Sequence, residues 1–108
     1  MVKRHALELL LQVDREAAIE LMLGEGIWEN RVGTRMAVCT TLASVNREEA
    51  TAALLERLRQ DPSVWVRLQA LRSLASPGRR LDRQRVSEAM QGEKDPDVLA
   101  LRAQLLGA

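Results

Sequence analysis

The sequence predicts an all-α fold, a solenoid of stacked helix pairs with about seven helices, and three observations carry that expectation. The chain repeats itself at a nearly fixed offset. Its apolar residues are almost all aliphatic. Helix-starting and helix-stopping residues recur along it, and no stretch alternates in polarity for long enough to make a strand.

Displaced by 32 residues, Asp14-Arg15-Glu16 falls on Asn46-Arg47-Glu48, Ala18 on Ala50 and Met22 on Leu54. At the same offset Val32 falls on Val64, Arg35 on Arg67 and Met36 on Leu68, and Leu42-Ala43-Ser44 falls on Leu74-Ala75-Ser76. An offset of 36 places Asn46-Arg47-Glu48 on Asp82-Arg83-Gln84, with Ala50 on Val86 and Leu54 on Met90. Leu101-Arg102-Ala103 then repeats the Val66-Arg67-Leu68 step. A two-helix unit at such a period cannot bury its apolar face alone, so stacked units must share one continuous core.

Composition agrees. Apolar residues make up 46% of the chain but aromatics only 2%, namely Trp28 and Trp65. The core must be Leu, Ala, Val and Met, which suit packed helices better than strands. Helices are expected near residues 2–12, 14–23, 28–44, 46–60, 62–75, 82–92 and 96–106. The first rests on Leu7, Leu9, Leu10 and Leu11 and reads as the second helix of an incomplete leading unit, 1–13. Asp14 caps the next, which stops at the turn Gly24-Glu25-Gly26. Trp28 opens the third and covers that turn. Asn46 with Glu49 forms a capping box for the fourth, whose stripe is Ala50, Ala53, Leu54 and Leu58.

Asp61-Pro62 starts the fifth as an N-cap followed by a proline at the first helical position. Its stripe is Val64, Leu68, Leu71, Leu74 and Ala75, and Ser76-Pro77-Gly78 stops it. Asp82 caps the sixth and Asp95-Pro96 the seventh. One domain, 1–108, thus holds full units at about 14–44, 46–76 and 82–107.

The segment Asp61-Pro62-Ser63-Val64-Trp65-Val66-Arg67-Leu68-Gln69-Ala70-Leu71 resembles the Asp-Pro-x-x-x-Val-Arg-x-x-Ala-Leu signature of the HEAT-like repeat family, especially its short bacterial form. Asp95-Pro96-Asp97-Val98 with Leu101-Arg102-Ala103 is a second copy, one residue longer between proline and arginine. Val32-Gly33-Thr34-Arg35 is a third that lacks the Asp-Pro. The resemblance implies a right-handed α-solenoid and a structural ladder between units, made by Arg35, Arg67 and Arg102 with Asp61 and Asp95. It also implies a scaffold that presents a binding surface, since repeat folds serve many partners.

No catalytic, cofactor or metal constellation emerges, and the expectation is a protein that is not an enzyme. His5 is the single histidine, too few for a metal site even with Glu8 beside it. Cys39 falls on Leu71 in the repeat and reads as a small core residue rather than a nucleophile. Gly24-Glu25-Gly26 lacks the lysine and hydroxyl of a phosphate loop.

The leading reading is therefore a protein-interaction module, with Trp65 and Arg72 on the second helices as contacts. The alternative is nucleic-acid binding through the cluster Arg79, Arg80, Arg83 and Arg85, near Arg57 and Arg59. Against it stand the net charge of +1 and the lack of aromatics for base stacking. A HEAT-like lyase or hydroxylase subunit comes last for want of ligands. Apolar faces on the terminal helices, 2–12 and 96–106, suggest a homodimer. The lone cysteine and the absence of a spanning or leader segment point to the cytoplasm and away from the membrane.

Overall fold

The computed structural model describes residues 15–107. Six α-helices follow in order: α1 (Arg15–Gly24), α2 (Val32–Leu42), α3 (Glu48–Gln60), α4 (Val64–Leu74), α5 (Arg83–Ala89) and α6 (Pro96–Leu106). A single 3-10 turn, Gly26–Trp28, precedes α2. No strand occurs among the described residues. The expected helix 2–12, its leucines, His5 and the cap residue Asp14 lie outside them.

The helices form two layers. α1, α3 and α5 pack side by side in one; α2, α4 and α6 form the other, with α4 also packed along α3. The second layer keeps the period strictly, since α2, α4 and α6 each span 11 residues and begin 32 residues apart. Equivalent positions are buried together: Cys39 with Leu71, Leu42 with Leu74, and Val66 with Val98. The core between the layers is aliphatic, drawn from Ile19, Met22, Val38, Leu54, Leu58, Leu71, Val86 and Val98. Each such side chain contributes about 1.5–3 kcal/mol on removal from water.

Three helix starts differ from expectation. The stretch 29–31 is not helical, because Arg35 Nη1 takes the carbonyls of Glu29 and Asn30 at 2.7 and 2.8 Å. A continuing helix would assign those carbonyls to backbone N–H groups four residues on. α4 starts at Val64 rather than 62 for the same reason, as the Asp61 carbonyl accepts Arg67 Nη1 at 2.8 Å. The capping box at Asn46 does not form. Arg47, extended at φ −134° and ψ 148°, precedes α3 without a side-chain cap. Asn46 Nδ2 donates instead to the Gly78 carbonyl at 3.3 Å, tying the start of α3 to the loop after α4.

The starts of α5 and α6 follow expectation. Asp82 accepts the Arg85 N–H at 3.0 Å, and Asp95 accepts those of Asp97 and Val98 with Pro96 at the first helical position. Gly78 turns the chain after α4 at φ 84°, a left-handed conformation that favours glycine. α5 is short: its last turn closes with the Met90 N–H on the Val86 and Ser87 carbonyls, so the expected extension to 92 is absent. Leu71→Ala, in the middle of the fully buried set, should lower unfolding free energy by about 2–5 kcal/mol in urea titration.

Candidate functional site

The second layer is held in register by a ladder of arginines and carboxylates, buried at its first rung and partly buried at its second. Arg35 on α2 donates to both oxygens of Asp61, Nε to Oδ2 at 2.8 Å and Nη2 to Oδ1 at 3.0 Å. One unit later Arg67 on α4 repeats the geometry with Glu93, at 2.9 and 3.3 Å. Each arginine also takes the carbonyl six residues before it, Glu29 for Arg35 and Asp61 for Arg67. Each carboxylate accepts the N–H two residues after it, from Ser63 and from Asp95. The planar guanidinium fork suits this, donating to a carboxylate along one edge and to a carbonyl from the remaining nitrogen.

Two positions assigned to this ladder do other work. Asp95 caps α6 and receives no arginine, whereas Glu93, 32 residues after Asp61, fills the rung. Arg102 lies seven residues past its helix cap, where Arg35 and Arg67 lie four past theirs. It reaches back to the Ser87 hydroxyl at 3.2 Å, and its Nε is buried without a hydrogen bond. The true equivalent of Arg67 in α6 is Leu99, which is 40% exposed.

Sequence reasoning missed Arg57. It is buried and donates Nη1 to Asp61 Oδ2 at 3.1 Å, so one carboxylate serves two guanidiniums. The Trp28 ring lies over it, 4.1 Å from the guanidinium carbon to the ring centroid. An aromatic face stabilises the charge that one carboxylate cannot offset twice. Trp28 is otherwise open to solvent.

A second, exposed ladder joins the first-layer helices. Arg47 pairs with Glu16, and Arg85 grips Glu48 with both ends of its guanidinium, at 2.9 and 2.7 Å. The Asn/Asp-Arg-Glu/Gln helix openings therefore have a use: the glutamate of one unit meets an arginine of the next. The arginine beside Glu16 and the one beside Glu48 hold those carboxyls below their usual range.

The residues singled out as partner contacts separate into two groups. Trp65 is 62% exposed and Arg72, seven residues on and therefore on the same face of α4, is exposed with no hydrogen bond or ion pair from its guanidinium among the described residues. Val32 on α2 and Leu99 on α6 are the other exposed large apolar side chains of that layer. Arg79, Arg80 and Arg83 lie elsewhere, around an open groove between α3 and the loop after α4. Arg79 is only 8% exposed; it donates to the carbonyls of Leu42, Ala43 and Val45 and to the Thr51 hydroxyl, closing the end of α2. Burial holds its pKa below the ordinary arginine value. Arg83 donates to the Leu106 carbonyl at 2.6 Å, at the end of α6, while Arg80 is exposed and unpaired among the described residues.

Cys39 is buried, and removal from water pushes its thiol from 9.0 to about 12. Such a thiol is a poor nucleophile at neutral pH. No helix among the described residues is long and apolar enough to cross a membrane.

A family model described as HEAT repeats matches residues 29–107. No curated protein and no solved structure matches the chain.

Asp61→Asn should destabilise the fold by about 3–5 kcal/mol in urea titration, because it leaves Arg35 and Arg57 buried without a counter-charge. Glu48→Gln, at an exposed pair, should leave the midpoint nearly unchanged. Cys39 favours its neutral form in the folded state, so its contribution is complete below pH 9.0 and fades as pH rises toward about 12. Thiol-reagent labelling at neutral pH should accordingly track unfolding.

Proposed function

The chain belongs to the HEAT-repeat family, and from that premise we propose that it is a non-enzymatic protein-interaction module whose contact face is the outer side of α2, α4 and α6. Repeat stacks of this kind commonly act as protein scaffolds. The observation that carries the reading is Trp65. A tryptophan left 62% exposed on the central helix of a layer, beside an uncommitted Arg72, has the composition of an interface anchor. Val32 adds a second exposed apolar side chain on the neighbouring helix α2.

Nucleic acid has less support. Of the cluster Arg79, Arg80, Arg83 and Arg85, only Arg80 makes neither a hydrogen bond nor an ion pair among the described residues. The neutralisation of several phosphates in a row needs more uncommitted cations than that. A second copy of the chain is a further partner in this reading. α6 exposes Leu99 where α2 and α4 carry the ladder arginines, so its edge offers an apolar contact to another α6. A dimer at high concentration that Leu99→Glu converts to monomer supports this, and a monomer throughout refutes it.

A tagged chain should retain a discrete protein partner after nuclease treatment. Trp65→Ala should weaken that capture by at least about tenfold without lowering the melting temperature. Unchanged capture by the variant, or recovery of nucleic acid in place of protein, contradicts the proposal.

A further inference from the structure

The start of α3 and the loop after α4 carry a site of different chemistry. The first turn of α3 and the segment from Gly78 to Arg85 enclose an open groove of about 720 Å³. Five arginines (Arg47, Arg79, Arg80, Arg83 and Arg85) and two carboxylates (Glu48 and Asp82) line it, leaving +3 in a chain whose net charge is +1. The rest of the protein is therefore net acidic.

These arginines differ in how their charge is met. Arg47 and Arg85 are held by Glu16 and Glu48. Arg79 and Arg83 donate only to neutral acceptors, carbonyls and one hydroxyl, which fix their positions without cancelling their charge. Arg80 has no acceptor among the described residues. Arg79 matters most, because it is buried, immobilised by four acceptors, and has no counter-ion among the described residues. A desolvated cation without a carboxylate is stabilised by any anion that approaches it. The uncapped first turn of α3 adds backbone N–H groups and the positive end of a 13-residue helix on the same side.

We propose that this groove binds an acidic, carboxylate-bearing segment of a partner protein. The proposal rests on the reading of the chain as a protein-interaction module, but it uses neither Trp65 nor the second-layer face. Size and lining select the occupant. A groove of about 720 Å³ holds a few residues of extended peptide. Asn46 and Thr51 beside the arginines offer hydrogen bonds to a peptide backbone. A nucleic-acid strand would need aromatic platforms and a cation row continuing beyond the groove. No aromatic lines it, and among the described residues the remaining uncommitted cations Arg15, Arg31, Arg72 and Lys94 lie on other elements.

The test is fluorescence anisotropy with a labelled oligoglutamate peptide, an oligoglutamine of equal length and a single-stranded oligonucleotide of equal charge. The intact chain should bind oligoglutamate with an affinity that falls as salt rises, and should not bind oligoglutamine. Arg80→Glu should weaken oligoglutamate binding by about tenfold, Arg80→Lys should retain it, and Trp65→Ala should leave it unchanged. Absence of oligoglutamate binding, equal binding by Arg80→Glu, or tighter binding of the oligonucleotide overturns the proposal. The arms separate the two readings: loss of partner capture in Trp65→Ala reports on the second-layer face, and loss of oligoglutamate in Arg80→Glu reports on the groove.

Discussion

One buried carboxylate sets the spacing of this fold. Asp61 sits between two units with its side chain shielded from solvent, and it accepts Arg35 from the preceding unit and Arg57 from its own. Its carbonyl accepts Arg67, which passes the connection on to Glu93. Remove the carboxylate and two guanidiniums lose their acceptor in a low-dielectric interior. Aliphatic contacts between α2, α4 and α6 are non-directional and tolerate sliding. The forked hydrogen bonds do not, so packing supplies the attraction while the ladder fixes the register.

Function follows from that division of labour. Because the ladder takes up Arg35, Arg57 and Arg67, and helix ends take up Arg79 and Arg83, few arginines are left to meet a partner. Part of the charge on this chain is internal structure, and net charge alone misstates what it presents outward. What remains exposed falls on two separate faces. One carries Trp65 and Arg72 on the layer that the ladder aligns. The other is the groove, where structural arginines leave their charge uncancelled.

The repeat made most of the fold readable. Aliphatic stripes at the helical period marked α3 and α4, and Asp82 and Asp95-Pro96 marked the starts of α5 and α6. Cys39 was placed in the core by its match with Leu71. The third unit was misregistered because Asp95-Pro96 and Arg102 imitate the signature while sitting two and three residues out of phase; the unbroken 32-residue offset points to Glu93 and Leu99 instead. Helix starts at Val32 and Val64 were hidden because long-range arginine bonds to carbonyls, which local propensity does not encode, hold the preceding residues extended. Arg57 and Arg79 looked like members of a basic surface. Their burial depends on which side of a stacked pair they face, and a count of charges carries no such information.

The most direct test of this account is a double-mutant cycle on Arg35 and Asp61, with unfolding free energies measured for Arg35→Ala, Asp61→Ala and the pair. If the rung couples neighbouring units, the double variant should be less destabilised than the sum of the single variants, with a coupling energy of about 1–3 kcal/mol. Additive losses would mean that the two side chains only fill space, and that the register of α2 on α4 is set by aliphatic packing alone.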